Sequence, residues 1–268
     1  MKYHERRRED RREERREDRK PVEEIEGQLE GRNALTEALR SGRTIDKVFI
    51  AAGDTDRALQ RLAAQAKEAG AVVIPVDRRK LDAMSTTHAH QGVITLAAAH
   101  EYATIEDILQ EAESRGEAPL IVICDELTDP HNLGAIMRSA ECAGAHGVII
   151  PKRRSVGLTA VVAKASAGAV EYMKVARVGN INNAISELKQ RGVWIFGTAA
   201  EGSIPMYKAD LSGPAAIVIG NEGQGMSPLV RKNCDVTVHI PMKGRISSLN
   251  ASAAASILLY EAVRQRLG

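Results

Sequence analysis

Aromatic residues are scarce in this chain, with one Trp, two Phe and five Tyr among 268 residues. So few rings argue against a base-stacking platform, which needs several aromatics on one sheet face. Cysteine is scarce too: Cys124, Cys142 and Cys234 lie far apart with no paired spacing. That argues against thiolate zinc sites and a disulfide framework, and it fits a reducing, cytoplasmic setting. No apolar run is long enough to cross a bilayer and no secretory signal is visible, so no membrane partner is expected. A dominant charge sign is also missing. The formal net charge is +2, and residues 1–20 alone contribute +3 from ten Lys/Arg and seven Asp/Glu. The remainder is slightly acidic, so nucleic-acid contact has to come from local basic patches.

What is present begins with that N-terminal run, MKYHERRREDRREERREDRK. It has no apolar face to bury, so residues 1–24 read as a disordered charged tail. Its mixed signs suit a solubilising tail; a non-specific RNA-binding arm is the alternative. Residues 25–98 read as a small α/β domain. Helices are expected at 33–40, with Asn33 as cap, and at 56–69 and 78–83. Strands are expected at 47–51, 72–76 and 92–97. The basic positions Arg32, Arg40, Arg43, Lys47, Arg78, Arg79 and Lys80 suit phosphate contacts as a group, although each alone is ordinary surface charge. His88 and His90 fall in a polar loop, STTHAHQG, with no neighbouring carboxylate or thiol, and read as loop residues without a metal.

Residues 99–118 read as a charged linker containing one helix, 105–114. From Pro119 the pattern alternates. Strands are expected at 120–124, 147–150, 171–177, 193–198, 215–220 and 236–240, and helices at 132–143, 158–167, 181–191, 227–232 and 248–266. That predicts an α/β domain over 119–268, a parallel sheet with helices on both faces. Ligands of such sheets bind at the carboxyl ends of the strands.

Three loops fall at that end. The first is DPHNLG, 129–134, followed by Arg138. Asp-Pro and Asn are turn and cap residues, yet Arg138 on an otherwise apolar helix must reach an edge or be paired. The second is GNEGQG, 220–225. Its glycines run GxxGxG, which is neither a Walker A loop nor GxGxxG. What remains is backbone brought close to a ligand, with one carboxylate, Glu222. The third, 240–250, runs into a helix with small residues on every face, capped by Ser247 or Ser248. Small residues all round admit close approach of other backbone; a helix that only covers a sheet carries larger apolar residues at spacings of three and four.

Together these stretches resemble the motifs of the SPOUT-class RNA methyltransferases, most of all the TrmH/RlmB-type ribose 2′-O-methyltransferases. The likeness covers most of residues 117–268. A weaker one covers 25–98, which resemble that family's L30e-like RNA substrate-binding domain. The resemblance implies an α/β fold: a parallel-sheet SPOUT domain with a C-terminal trefoil knot, preceded by the small L30e-like α/β domain. It implies S-adenosyl-L-methionine as cofactor, contacted by Thr198, Gly220, Ile240 and Leu249. It assigns Asn132, Arg138, Glu222, Ser248 and Asn250 to the reacting centre, with no metal. A sulfonium donor loses its charge as the methyl leaves, so the reaction needs in-line alignment and removal of a hydroxyl proton. Arg138 reads as a phosphate clamp, because a guanidinium stays protonated. The proton leaves through Ser248, Glu222 or water.

The run PKRRS, 151–155, is similar to the RlmB branch, which methylates a guanosine ribose in 23S ribosomal RNA. A tRNA methyltransferase of the same family is the alternative. An RNA- or ribosome-binding protein without catalysis is the rival from another class, and the intact motif residues argue against it. The family's dimers bring the loop-one Arg close to the partner's cofactor site, so the resemblance also implies a homodimer. No DNA partner is expected.

Overall fold

The computed structural model describes residues 27–199 and 203–268. The tail expected at 1–24 lies outside the described residues. The chain divides into two compact units, the first ending at Ala97 and the second spanning Ala98–Gly268.

In the first unit the elements are β1 (Gln28–Glu30), α1 (Arg32–Arg40), β2 (Ile45–Ala51), α2 (Arg57–Glu68), β3 (Val72–Val76), α3 (Arg78–Met84) and β4 (Val93–Ala97). The sheet order is β1-β4-β2-β3, with β2 and β3 parallel and β4 antiparallel to both its neighbours. Buried Leu35, Val48, Leu59 and Val93 centre its core. Asp56 and Asp77 cap α2 and α3 by accepting from the N–H groups of Ala58 and Arg79, as short acidic side chains do at helix starts. Asn33 does not cap α1. The helix starts earlier, after Gly31 at φ 90°, a conformation that lets the chain turn straight out of β1 and that suits glycine.

One further reading of this unit is corrected. His90 does have a carboxylate neighbour. Its ring is buried, with Nε2 2.9 Å from Asp82 Oδ1 and Nδ1 accepting from Gly92 N–H at 3.0 Å. The partner comes from α3, folded back over the loop. Arg32 is held inside the unit, ion-paired with Asp56 at 2.5 Å and donating to the Gln91 carbonyl at 3.2 Å. By contrast Arg40, Arg43, Arg78, Arg79 and Lys80 are exposed. A third cluster surrounds Glu30. Its carboxylate accepts from the N–H of Thr86 at 2.6 Å, the hydroxyls of Ser85 at 2.6 Å and Thr86 at 2.9 Å, and both N–H and hydroxyl of Thr87.

The second unit holds α4 (Ile105–Arg115), β5 (Leu120–Cys124), α5 (Pro130–Cys142), β6 (Gly147–Pro151), α6 (Ala160–Ala165), β7 (Val175–Val178), α7 (Ile181–Gln190), β8 (Trp194–Thr198), β9 (Ile204–Pro205), β10 (Ala215–Ile219), α8 (Pro228–Asn233), β11 (Val236–His239) and α9 (Ala251–Arg266). Its sheet runs β7-β6-β5-β10-β8-β11-β9, and every paired neighbour is parallel. Alternation along β5 divides the core. Leu120, Val122 and Cys124 face α5, α6 and α9, while Ile121 and Ile123 face α4, α7 and α8. Full burial of each such aliphatic side chain contributes roughly 1.5–3 kcal/mol, which is why the strand reads as continuously apolar.

The stretch 99–118 does more than link. A capping box between Thr104 and Asp107 starts α4, and Ile105, Ile108 and Ala112 are buried on one side of it. A Cβ added at Gly147 would lie 2.5 Å from the Ile108 side chain, so α4 sits directly on β6. Charged residues at the alternate positions hid this face in the sequence. The strand expected at 171–177 is shorter. A 3-10 turn, Ala169–Glu171, precedes β7.

Helix α9 begins at Ala251, and neither Ser247 nor Ser248 caps it. Asn250 does, its Oδ1 accepting from Ser252 N–H at 2.9 Å and Ala253 N–H at 3.3 Å. At the other end Arg266 donates to the carbonyls of Ala118 at 2.7 Å, Pro119 at 2.9 Å, Gly213 at 2.6 Å and Leu211 at 3.2 Å. These bonds tie the last helical turn to the chain entering β5 and β10.

Candidate active site

Sheet register brings the loops together. Cys124, the last residue of β5, pairs with Ile219, the last residue of β10. The chains that follow therefore leave the sheet side by side. From β5 the chain proceeds to β6 on one flank, whereas β10 lies on the other. Such a reversal opens a crevice outside the carboxyl ends of the strands.

The first loop delivers Asn132. Asp129 caps α5 by accepting from His131 N–H at 2.9 Å, and Pro130 occupies the first turn. Proline suits that position because its missing N–H would have no helical partner. Asn132 is therefore released from capping, and it is buried. Helix α5 comes close to α6 here. A Cβ on Gly134 would lie 2.5 Å from Ala165 Cβ and 2.8 Å from the Val162 carbonyl oxygen.

The second loop closes on itself. Asn221 and Gly225 exchange backbone hydrogen bonds of 3.0 and 2.8 Å. The return strand passes so near Gly220 that a Cβ there would lie 2.2 Å from Gly225 C and 2.3 Å from Met226 N. The glycine is thus required by the loop's own fold. Asn221, given no role by sequence reasoning, organises it: Oδ1 accepts from Gly223 N–H at 2.9 Å, and Nδ2 donates to the Glu126 carbonyl at 3.1 Å. The Asn-x-Gly spacing, an Asx-turn signature, was the signal available.

Three side chains then converge. Asn250 Nδ2 donates to Asn132 Oδ1 at 2.9 Å, and Asn132 Nδ2 donates to Glu222 Oε1 at 2.6 Å. The amide orientations follow from the network. Asn250 spends its oxygen on capping α9, so its NH2 faces Asn132. Asn132 must then accept with its oxygen, which turns its own NH2 to the Glu222 carboxylate. Burial, with the Glu222 and Asp125 charges beside it, pushes the Cys124 thiol up to about 12. Asp125 is buried and accepts from Ser227 N–H at 2.7 Å, a carboxylate at the start of α8 where the helix dipole favours it.

The other expected site residues divide into two groups. Thr198 ends β8 at the same edge of the sheet, half-buried, its hydroxyl donating to the Val218 carbonyl at 2.9 Å. Ile240 is half-buried against the core, while Ser248 and Leu249 stand exposed on the loop before α9. Arg138 does not join the cluster. It is exposed on α5, six residues beyond Asn132, which is roughly 9 Å along the axis and about 240° around it. Its neighbour Ser139 faces α9, with Oγ 2.7 Å from Ser256 Oγ. In its own chain Arg138 is exposed, on a different face of α5 from buried Asn132.

Residues 119–260 match the SpoU rRNA Methylase family, and residues 28–103 match the RNA 2′-O ribose methyltransferase substrate-binding domain. A Bacillus subtilis protein named for the TrmH tRNA/rRNA methyltransferase family, YacO, is 47% identical over 236 residues, 88% of this chain and 94% of that one. The 23S rRNA (guanosine-2′-O-)-methyltransferase RlmB of Ralstonia nicotianae is 45% identical over 240 residues, 89% of this chain and 95% of its own length. Among solved structures, the SpoU methyltransferase AviRb of Streptomyces viridochromogenes, in complex with AdoMet, is similar with a TM-score of 0.58 at 26% identity, covering 90% of this chain and 92% of that one. An AdoMet-bound rRNA methyltransferase of Sinorhizobium meliloti gives a TM-score of 0.57 at 27% identity, covering 90% and 88%. A loop cluster at the carboxyl ends of a parallel sheet, joined to a substrate-binding domain by sequence and matched over nearly the whole chain by these enzymes, leaves one assignment: the chain belongs to the SpoU rRNA methylase family of RNA methyltransferases.

Proposed function

We propose that this chain transfers the methyl group of S-adenosyl-L-methionine to the 2′-hydroxyl of a guanosine ribose in 23S ribosomal RNA. The observation that carries the reading is the Asn250–Asn132–Glu222 chain of hydrogen bonds beside the closed loop at Gly220. The loop fits the cofactor. It presents backbone without side chains at Gly220, Gly223 and Gly225, and half-buried Ile240 and Thr198 flank it at the strand ends. Leu249 supplies an exposed apolar side chain for the adenosine. When bound, the cofactor supplies an electrophilic methyl group on a sulfonium.

The chain's own residues orient the acceptor. Asn132 and Asn250 hold Glu222 in a fixed rotamer, with its second oxygen left for a hydroxyl proton. Ser248, exposed two residues before Asn250, or water is the alternative carrier of that proton. Arg138 grips the phosphate next to the target ribose, bidentately, as guanidinium groups do. Because Arg138 is exposed on another face of α5 from Asn132, a homodimer in which Arg138 serves the partner's cluster completes the reading. The trefoil knot belongs to it too, supported by Ala251 and Ala255 of α9 buried among α5 and β10. In this reading residues 25–98 bind the RNA, with no DNA partner, and the enzyme acts in the cytoplasm. Among the described residues no helix is long and apolar enough to cross a membrane.

The 45% identity to the RlmB enzyme supports the ribosomal target. The tRNA/rRNA naming of the YacO relative keeps a tRNA guanosine as the second reading. Incubating the protein with labelled S-adenosylmethionine and separate unmodified transcripts of 23S ribosomal RNA and tRNA decides between them. Label in the ribosomal transcript, mapped to one ribose, is expected. Label in tRNA alone selects the second reading, and label in neither overturns both.

A further inference from the structure

Among the described residues of the second unit, three non-glycine positions have positive φ: Glu126 at 58°, Arg154 at 54° and Ala167 at 50°. Left-handed backbone disfavours residues with a Cβ, and such strain collects where a site needs it. Two of the three are partners. Arg154 Nη1 lies 3.0 Å from Glu126 Oε1.

Their position is specific. Glu126 is in the loop after β5 and Arg154 in the loop after β6, so both lie at the carboxyl ends of the strands. Glu126 is fastened from behind, its carbonyl accepting from Asn221 Nδ2 at 3.1 Å. Asn221 immediately precedes Glu222, the carboxylate that holds Asn132. The Arg154 loop is fastened as well, with Val156 N–H and Ser155 Oγ both donating to the Leu127 carbonyl at 3.0 Å. Two anchored loops thus hold one guanidinium at the end of the sheet that carries the reacting cluster.

As a stabilising ion pair this arrangement gains little. The Arg154 side chain is 79% exposed and that of Glu126 34%, and exposed pairs contribute almost nothing net. Two strained residues are a poor means to a weak surface contact. They are a good means of presenting a guanidinium outward in a fixed orientation. We infer that Arg154 binds a backbone phosphate of the RNA substrate, and that Glu126 is the carboxylate holding it in place until the phosphate arrives. The inference rests on the RNA methyltransferase reading and extends it to a binding residue distinct from Arg138. Arginine suits the task because its planar fork matches a phosphate bidentately. Adjacent Lys152 and Arg153 add positive charge.

The two members of the pair are predicted to act in opposite directions. Arg154→Gln should weaken binding of the transcript methylated by the wild type about tenfold, and reduce the slope of log affinity against log salt by about one contact. Glu126→Gln should tighten binding two- to threefold, a rough figure for freeing one exposed charge from its partner, and leave the slope unchanged. Arg154→Lys should keep the slope and lose part of the affinity. Calorimetric affinity for S-adenosylmethionine should stay unchanged in all three, which certifies that the crevice is folded. If Arg154→Gln and Glu126→Gln weaken RNA binding alike with equal slopes, the pair is only a brace and the inference fails. If the wild type methylates no RNA, the underlying reading fails instead. The salt slope with a labelled mixed-sequence RNA 20-mer then still decides whether Arg154 contacts phosphate.

Discussion

Asn132 and Glu222, 90 positions apart in the chain, share a 2.6 Å hydrogen bond between an amide N–H and a carboxylate oxygen. Replacing Asn132 by Ala leaves a carboxylate and the Asn250 amide without their partner. The loss of an oriented group at the reacting centre should lower methyl transfer on the order of a hundredfold. Stability should fall by no more than about 1 kcal/mol, because Glu222 and Asn250 are exposed and water replaces the lost partner. Asn132→Asp is the sharper probe. It sets two carboxylates at hydrogen-bond distance, which raises the pKa of the pair in the folded state. The variant should be destabilised at pH 8 and recover as pH falls through that raised value, whereas the wild type should not. Urea midpoints across this range check it, and a flat profile would falsify the assigned geometry.

Arg138 leads to a complementation experiment. Arg138→Ala and Asn132→Ala should each keep on the order of a hundredth of wild-type activity alone. If Arg138 serves the partner's cluster, a mixed dimer carries one intact site. After subunit exchange in an equal mixture, half the dimers are mixed, so activity should return to about a quarter of wild type. No recovery, with exchange verified by mass spectrometry, places Arg138 in its own chain's site.

Arg138→Lys separates clamp from base. Lysine keeps the charge and loses the bidentate fork. Methyl transfer should fall about a hundredfold at every pH, with affinity for S-adenosylmethionine retained. Recovery to wild-type rates above about pH 9, as the lower lysine pKa would allow, identifies Arg138 as the proton acceptor.

Gly220→Ala tests the closed loop. The added Cβ would lie 2.2 Å from Gly225 C, and because that is backbone, no side chain can move aside. Overpacking of this kind costs about 1–3 kcal/mol. Affinity for S-adenosylmethionine should drop roughly ten- to a hundredfold, by calorimetry. Unchanged affinity means that the cofactor does not use this loop.

Glu30 gives a pH signature in the first unit. Burial acts to raise its pKa, but hydrogen bonds from Ser85, Thr87, Thr86 and Gln28 outweigh it and hold the carboxyl well below its usual value of 4.5. A depressed folded pKa stabilises above the unfolded value and is lost as pH falls toward the folded one. Glu30→Gln should therefore speed amide exchange at Thr86 and Thr87 at pH 7, and the difference from wild type should shrink steadily below about pH 4.5. A constant difference at all pH values would exclude a charged role for Glu30.

The sequence by itself determined the periodicities: strands such as 120–124 and 215–219, the helix from 251 onward in outline, and the three loops at one end of a parallel sheet. These are local properties, carried by alternation, by turn residues and by helical spacing over a few positions. The family resemblance also named Asn132, Glu222 and Asn250, which converge, along with Arg138, which does not. The tertiary structure alone decided which asparagine caps and which is free. Asp129 takes the capping position that Asn132 was expected to fill, and Asn250 displaces Ser247 and Ser248. It decided that α4 belongs to the second core, because its buried face is completed only by β6. It decided that Asn221 is a brace and that His90 has a carboxylate beside it. It also decided that Arg138 is exposed on a different face of α5 from Asn132. Each of these depends on pairings between residues far apart in the chain, made when β10 lies against β5, and no local pattern encodes which strand becomes the neighbour.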